Sequence, residues 1–471
     1  MNPARLVLPA LRAGADGAFA HEAEGIRAAL DAGVGGFIIF GGTTGSVGAL
    51  TTDLVRRAGR PLLLASDLER GAGQQIEGLT ELPPPAALAW LDEPDVVRWA
   101  GALTAAEARS VGINWVFAPV ADLDVLAENP IVQTRAFGAD PDLVAACVRS
   151  WIEGCQAAGA LACAKHYPGH GRTLVDSHVA LPTVTDDAAT LSSADERPFA
   201  AAVAADVASV MTAHVAYPAL DPSGLAATLS TPILARLRQG LGFDGIVVTD
   251  ALVMEGALSG RTEGAAAVEA LKAGVDLLLY PGDTTGVCRT LREAVAAGHL
   301  PFGRLAEAER RYEAALARAA QAAGRVPPGP YETAEHLADA LVDRGLLRGT
   351  VRGLRSPLEI VVVDDDLGGP YAPGPGDYLA KALGARGLAG TGGTRVLLVL
   401  SEPRAWKGRA GLGPEAREQV AREAPGADLV VLFGHPRLAA EVPGERPLLL
   451  AWHRQRLMQE AVARWLAARA T

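Results

Sequence analysis

Eight short apolar runs recur along the first two-thirds of this 471-residue chain, at 6–8, 36–40, 61–65, 113–119, 160–164, 208–212, 245–249 and 275–280. Each ends in a turn former or a polar cluster, and alanine-rich helical patterns separate them. Runs this short fit strands buried on both faces, as in a parallel sheet wrapped by helices. Eight βα units spread over about 300 residues predict a TIM (β/α)8-type barrel. Polar groups support that choice over a doubly wound sheet. Asp67 follows the third run, Lys165 and His166 the fifth, His214 the sixth and Asp250 the seventh. A barrel gathers its site from several strand ends, whereas a doubly wound sheet concentrates ligand groups near one switch point.

The pattern changes after the helical stretch 305–323. Residues 324–330 read Gly-Arg-Val-Pro-Pro-Gly-Pro, where the prolines stop a helix and stiffen a linker. Later runs at 358–363, 395–400, 428–433 and 447–452 alternate with helical patterns, which predicts a smaller α/β layered domain. The expected organisation is a barrel domain over 1–323, a linker and helical connector over 324–353, and a C-terminal α/β domain over 354–471.

Composition excludes several classes of function. The net charge is −11 and no Lys/Arg run occurs, which argues against nucleic acid as a partner. No apolar run reaches the roughly 18 residues that membrane insertion requires. The N-terminus lacks the apolar core of a secretory signal, so a cytoplasmic protein is expected. Cys147, Cys155, Cys163 and Cys288 show no Cys-x-x-Cys spacing and are expected as buried thiols. Phosphate-loop, zinc-helix and dinucleotide fingerprints do not occur, so neither a cofactor nor a metal is expected. Oligomeric state is left open.

Two segments carry chemistry. The first, Lys165-His-Tyr-Pro-Gly-His170-Gly-Arg-Thr-Leu-Val-Asp176-Ser-His178, holds three of the nine histidines. Asp176 and His178 are two apart on a loop, where a carboxylate can fix the tautomer of an imidazole and raise its pKa. Lys165 and His166 reach one ligand only where the strand is broken, because neighbours on a regular strand point to opposite faces. His170 fits a loop-supporting hydrogen bond. The second segment, Phe243-Asp-Gly-Ile-Val-Val-Thr-Asp250-Ala-Leu-Val-Met254, delivers Asp250 to a strand end. Asp250 fits either a nucleophile aimed into the mouth or the cap of a following helix. Asp67 fits an acceptor for hydroxyl groups. Arg135 fits either a ligand clamp or a salt bridge, and His214 either lines the pocket or is a satisfied strand-end histidine.

Together the two motifs resemble glycoside hydrolase family 3, in its bacterial β-N-acetylglucosaminidase (β-N-acetylhexosaminidase) branch of peptidoglycan recycling. The resemblance covers about residues 1–320. It implies Asp250 as catalytic nucleophile and His178 as general acid/base tuned by Asp176. It implies that Asp67, Arg135, Lys165 and His166 hold sugar hydroxyls, and that Met254 lines the pocket. The family's usual Asp-Gln-Glu-Gly-Gly stretch is here Asp67-Leu-Glu-Arg70-Gly, which leaves the chemistry intact and bears on the outer substrate preference. The expected activity is retaining removal of terminal β-linked N-acetylglucosamine, with a small amino-sugar glycoside as the partner. A β-glucosidase, a phosphorylase and an inactive sugar-binding protein are the competing readings.

Overall fold

β-Branched and aliphatic side chains crowd both faces of the short runs, so these strands are stable only between a packed lumen and a covering helical layer. The computed structural model describes residues 2–175, 177, 180–321, 326–369 and 373–471. The chain forms two compact units: 1–80, 93–126 and 136–328 make the first, and 81–92, 127–135 and 329–471 the second.

Every expected run of the first unit contains a strand or most of one. β1 is Val7–Leu8, resuming after Pro9 as Ala10–Arg12. It is followed by β2 (Gly36–Phe40), β3 (Leu63–Ser66), β4 (Trp115–Val116), β5 (Leu161–Tyr167), β6 (Ser209–Thr212), β7 (Ile246–Thr249) and β8 (Leu278–Leu279). All pairings are parallel and follow chain order from β1 to β7. β8 pairs with the first part of β1, and Thr249 N–H donates to the Leu277 carbonyl at 3.1 Å, closing the ring between β7 and β8. This is the TIM-type barrel implied by the spacing of the runs. Its lumen is solid: buried Trp115 donates its indole N–H to Ser209 Oγ at 2.8 Å, and Ser209 Oγ donates to the Ala162 carbonyl at 2.9 Å. A filled lumen leaves chemistry to the rim where the strands end.

The second unit has a five-stranded sheet built from β9 (Leu346–Arg348), β10 (Leu358–Asp364), β11 (Thr394–Ser401), β12 (Leu429–Gly434) and β13 (Leu448–Leu450). The order is β9-β13-β12-β11-β10, parallel except for the edge strand β9. The four expected runs are its parallel strands. β9 was hidden within the helical connector: that helix stops at Arg344, and residues 346–348 pair with β13 instead. Two stretches lying between barrel strands in sequence also belong to this unit. Gln455 donates to the Leu82 carbonyl at 2.9 Å, and the Trp90 and Trp452 rings meet edge to face at 5.7 Å. Residues 322–325, which include the start of the expected linker, lie outside the described residues.

Candidate active site

The site begins with an irregularity in β5. Lys165 pairs with Met211 and Tyr167 with Thr212, so His166 is an extra residue on its strand. Such a bulge lets two consecutive side chains serve one side of a sheet, which regular alternation forbids. The break required by the sequence thus falls at His166 itself, ahead of Pro168.

Lys165 is buried and its ammonium lies 2.7 Å from Asp67 Oδ1 and 2.8 Å from Glu69 Oε1. A buried ammonium needs such compensation, and here it comes from the loop after β3. Asp67 remains 30% exposed, and its second oxygen has no partner among the described residues. That oxygen is placed to accept a hydrogen bond from a ligand hydroxyl.

His166 is fixed by Asp122, which lies in the segment after β4. Its Nδ1 lies 2.7 Å from Asp122 Oδ2, while Asp122 Oδ1 accepts the backbone N–H groups of His166 and His170 at 3.1 and 2.7 Å. Burial alone would raise the Asp122 carboxyl pKa. The opposing pull of His166 and His170 wins and holds it below the usual carboxylate range. An ionised Asp122 only accepts, so Nδ1 carries a proton and Nε2 faces outward, 4.0 Å from Asp250 Oδ2.

Asp250 follows β7 and is 20% exposed, with Oδ1 accepting the Ala251 N–H at 2.7 Å. The next helix, Glu255–Leu258, starts beyond Met254 without a side-chain cap, so Asp250 does not cap it. Met254 is buried and donates its N–H to the Ala251 carbonyl at 3.1 Å. That carbonyl also receives His214 Nε2 at 3.1 Å, while His214 Nδ1 meets Thr228 Oγ1 at 2.8 Å. A carbonyl only accepts, so His214 carries its proton on Nε2. Burial lowers its pKa and keeps it neutral. His214 is wholly buried with both nitrogens engaged, and it touches the site through the backbone that follows Asp250.

His170 takes the loop role. Its Nδ1 and Nε2 lie 2.8 Å from Thr173 Oγ1 and 3.0 Å from Ser177 Oγ. Burial drives its pKa down to about 4. Ser177 is tied a second time, its carbonyl accepting Gly256 N–H at 3.0 Å. Two glycines permit this packing. A Cβ on Gly171 would stand 1.8 Å from the Leu123 carbonyl oxygen, and one on Gly256 only 2.9 Å from the carbonyls of Ser177 and His214. Asp176 and His178, which flank Ser177, lie outside the described residues.

Arg135 belongs to the second unit. It closes the 3-10 turn Gln133–Arg135, and its Nη1 donates to the Ile131 carbonyl at 3.2 Å. The first unit therefore brings together Asp67, Lys165, His166 and Asp250, with His214 and Met254 behind them. Asp122 escaped the sequence reading, although the rule that selected Asp67 and Asp250 points to it: it lies just past the run 113–119. Among the described residues, no group of three or more His, Cys, Asp and Glu side chains is arranged to hold a metal ion.

A (β/α)8 barrel whose rim converges carboxylates, a lysine and a histidine on one spot has the make-up of a site for a polar ligand. Residues 15–314 match the Glycosyl hydrolase family 3 N terminal domain, and the chain belongs to that family. It is 34% identical over 288 residues to a beta-N-acetylglucosaminidase/beta-glucosidase of Cellulomonas fimi, a match covering 59% of this chain and 51% of that protein. It is 38% identical over 259 residues to a beta-hexosaminidase of Bordetella avium (strain 197N), covering 52% of this chain and 73% of the relative. The chain thus spans about half the length of the first relative and about three-quarters of the second. Among solved structures, a glycoside hydrolase family 3 beta-N-acetylglucosaminidase from Paenibacillus sp. str. FPU-7 superposes with a TM-score of 0.85 at 26% identity, over 100% of this chain and 96% of that one.

Proposed function

We propose that this chain is a retaining exo-β-N-acetylglucosaminidase that removes terminal β-linked N-acetylglucosamine from cell-wall fragments in the cytoplasm. One observation carries the reading: the Asp122-held His166 presents Nε2 beside the Asp250 carboxylate, next to the Lys165–Asp67 pair. Asp67, Lys165 and His166 hold sugar hydroxyls, and Met254 packs beneath the sugar. His214 serves as a positioning residue, because its engaged nitrogens act on the Ala251 carbonyl rather than on a ligand.

In the first step Asp250 forms a bond to the anomeric carbon as the glycosidic C–O bond breaks, and His178 gives its proton to the departing oxygen. In the second step a water forms the new C–O bond, His178 takes back a proton, and the Asp250 ester breaks. Asp176 fixes the tautomer of His178. A histidine in this role adds no negative charge beside the nucleophile. The catalytic domain of this reading is 1–323, joined through 324–353 to the α/β domain 354–471.

The test pairs a neutral aryl β-N-acetylglucosaminide with the matching β-glucoside, in the presence and absence of phosphate. The N-acetylglucosaminide should turn over faster and release the free sugar. Faster glucoside turnover rejects the substrate, and sugar 1-phosphate as main product rejects hydrolysis. Trapping the sugar with a slow 5-fluoro glycoside that keeps the 2-acetamido group, and locating it by mass spectrometry, should mark Asp250; a label elsewhere rejects the nucleophile.

A further inference from the structure

Arg12 ends β1 at the rim of the barrel, in register with Phe40 at the end of β2. Its guanidinium carbon lies 4.2 Å from the Phe40 ring centroid and 5.3 Å from that of Tyr280, and its Nε donates to Tyr280 Oη at 3.0 Å. The two rings lie 5.9 Å apart. Tyr280 follows β8 and is tied to the nucleophile's own loop: its carbonyl accepts Val253 N–H at 3.3 Å, and the adjacent Leu279 carbonyl accepts Leu252 N–H at 2.9 Å. Arg12, Phe40, Tyr280 and Asp250 therefore occupy the ends of four neighbouring strands on one arc of the rim.

Arg12 is exposed, yet its fork is oriented by the aromatic pair. Such stacking, with the bond to Tyr280, favours one orientation of the planar fork. Its two Nη groups have no partner among the described residues. The acid near it in the chain, Glu22, is used by the Arg12 backbone N–H at 2.9 Å. The centre of the site holds Asp67, Glu69, Asp122 and Asp250 together with Lys165 and His166. An anionic leaving group approaching Asp250 meets repulsion unless a cation on the rim receives it, and an oriented Arg fork matches a carboxylate in two-point geometry.

We propose that Arg12 is a specificity residue that grips a carboxylate on the aglycone, so that this chain prefers glycosides whose leaving group is acidic. The inference rests on the proposed glycosidase reading and specifies the other half of its substrate. Phe40 and Tyr280 are the platform that orients the fork, and neither touches the reacting atoms.

The test is calorimetric binding of four ligands to the full-length Asp250→Ala chain: phenyl and carboxyphenyl glycosides in the β-N-acetylglucosamine and β-glucose series. The carboxyphenyl ligand should bind about 10-fold or more tightly than the phenyl one, as a charge-assisted hydrogen-bond pair predicts. Adding Arg12→Met, which retains apolar packing on the rings, should bring that ratio to about one. Arg12→Lys should retain the charge but only part of the preference. A ratio near one in the Asp250→Ala chain, or a ratio unchanged by Arg12→Met, overturns the proposal. A carboxylate preference seen only in the glucose series rejects the N-acetylglucosamine reading while upholding Arg12. Binding in neither series overturns both.

Discussion

Both units of this protein gather buried charge at the carboxyl ends of parallel strands, and they put it to opposite uses. In the second unit, Asp364 ends β10, Asp365 and Asp366 follow it, and Glu402 follows β11. Lys407 lies 2.9 Å from Asp365 and 2.6 Å from Asp366, while Arg454 lies 2.7 Å from Asp364 and 2.9 Å from Asp366. Arg409 grips Asp365 with both Nη groups, and His453 lies 2.8 Å from Glu402. Each aspartate meets a lysine or an arginine, and Glu402 also meets Arg404 at 3.2 Å. In the barrel, Asp67 and Asp250 are 30% and 20% exposed and keep part of their surface open to a ligand. Strand-end position alone therefore does not make a site. Exposure separates the two: carboxylates buried against their own partners lock a fold, whereas carboxylates left part-exposed can meet a substrate.

That contrast can be broken by substitution, and the largest effect is expected at Asp250. Asp250→Ala should lower kcat by about 10⁴-fold or more while the thermal midpoint stays close to that of the parent. A modest loss of activity would remove Asp250 from the chemistry. The mirror experiment is Asp366→Ala, which strands Lys407 and Arg454 in a buried setting. It should cost about 3–5 kcal/mol in denaturant unfolding of the second unit. If stability is unchanged, the cluster is no lock.

Asp122→Asn should have a smaller, kinetic effect. It keeps the shape but removes the charge that fixes the His166 tautomer. kcat/KM should fall by about 10²-fold, the loss expected when a binding group is misplaced, with little change in melting. Equal losses of activity and stability would make Asp122 merely structural.

The smallest effect is in pH dependence. His170 has a folded pKa of about 4 against an ordinary value of 6.5, so between these values the unfolded chain binds a proton that the folded chain does not. Stability from this group is full above pH 6.5 and is lost as pH falls toward 4. Asp195 runs the other way. Burial, only partly opposed by Arg172, lifts it to about 6, so its contribution falls as pH rises from its ordinary value of 3.8 through 6. Replacing His170 with Gln should therefore flatten the acid limb of the melting profile and leave the Asp195 slope behind. An acid limb as steep as the parent's would exclude His170 as its cause.

Much of this was legible beforehand, for identifiable reasons. Strands buried on both faces leave runs that need no alternation to be seen, so the barrel and the parallel strands of the second sheet stood out. Asp67, Lys165, His166 and Asp250 were legible because each breaks apolar context at a run's end. Asp122 meets the same rule but is less conspicuous, because it stands a few residues beyond its run among small apolar residues. His214 was ambiguous because a histidine at a strand end looks the same whether it meets a ligand or a buried threonine. The edge strand β9 was hidden because three residues carry no period, and β13 recruits them only after the sheet exists.

The sequence by itself determined the succession of βα units, the composition of the barrel strands and the chemical types delivered to the rim, since these follow from local pattern and spacing. Tertiary structure decided the rest. Pairing with β6 placed the bulge at His166, and the Thr228–His214–Ala251 chain joined three separate segments behind the nucleophile. Which buried charges found a partner was likewise settled by contacts far apart in sequence, such as Lys165 with Asp67 and Arg454 with Asp364. Register, tautomer and charge balance depend on what lies across a gap of a few ångströms, and a linear pattern does not encode that distance.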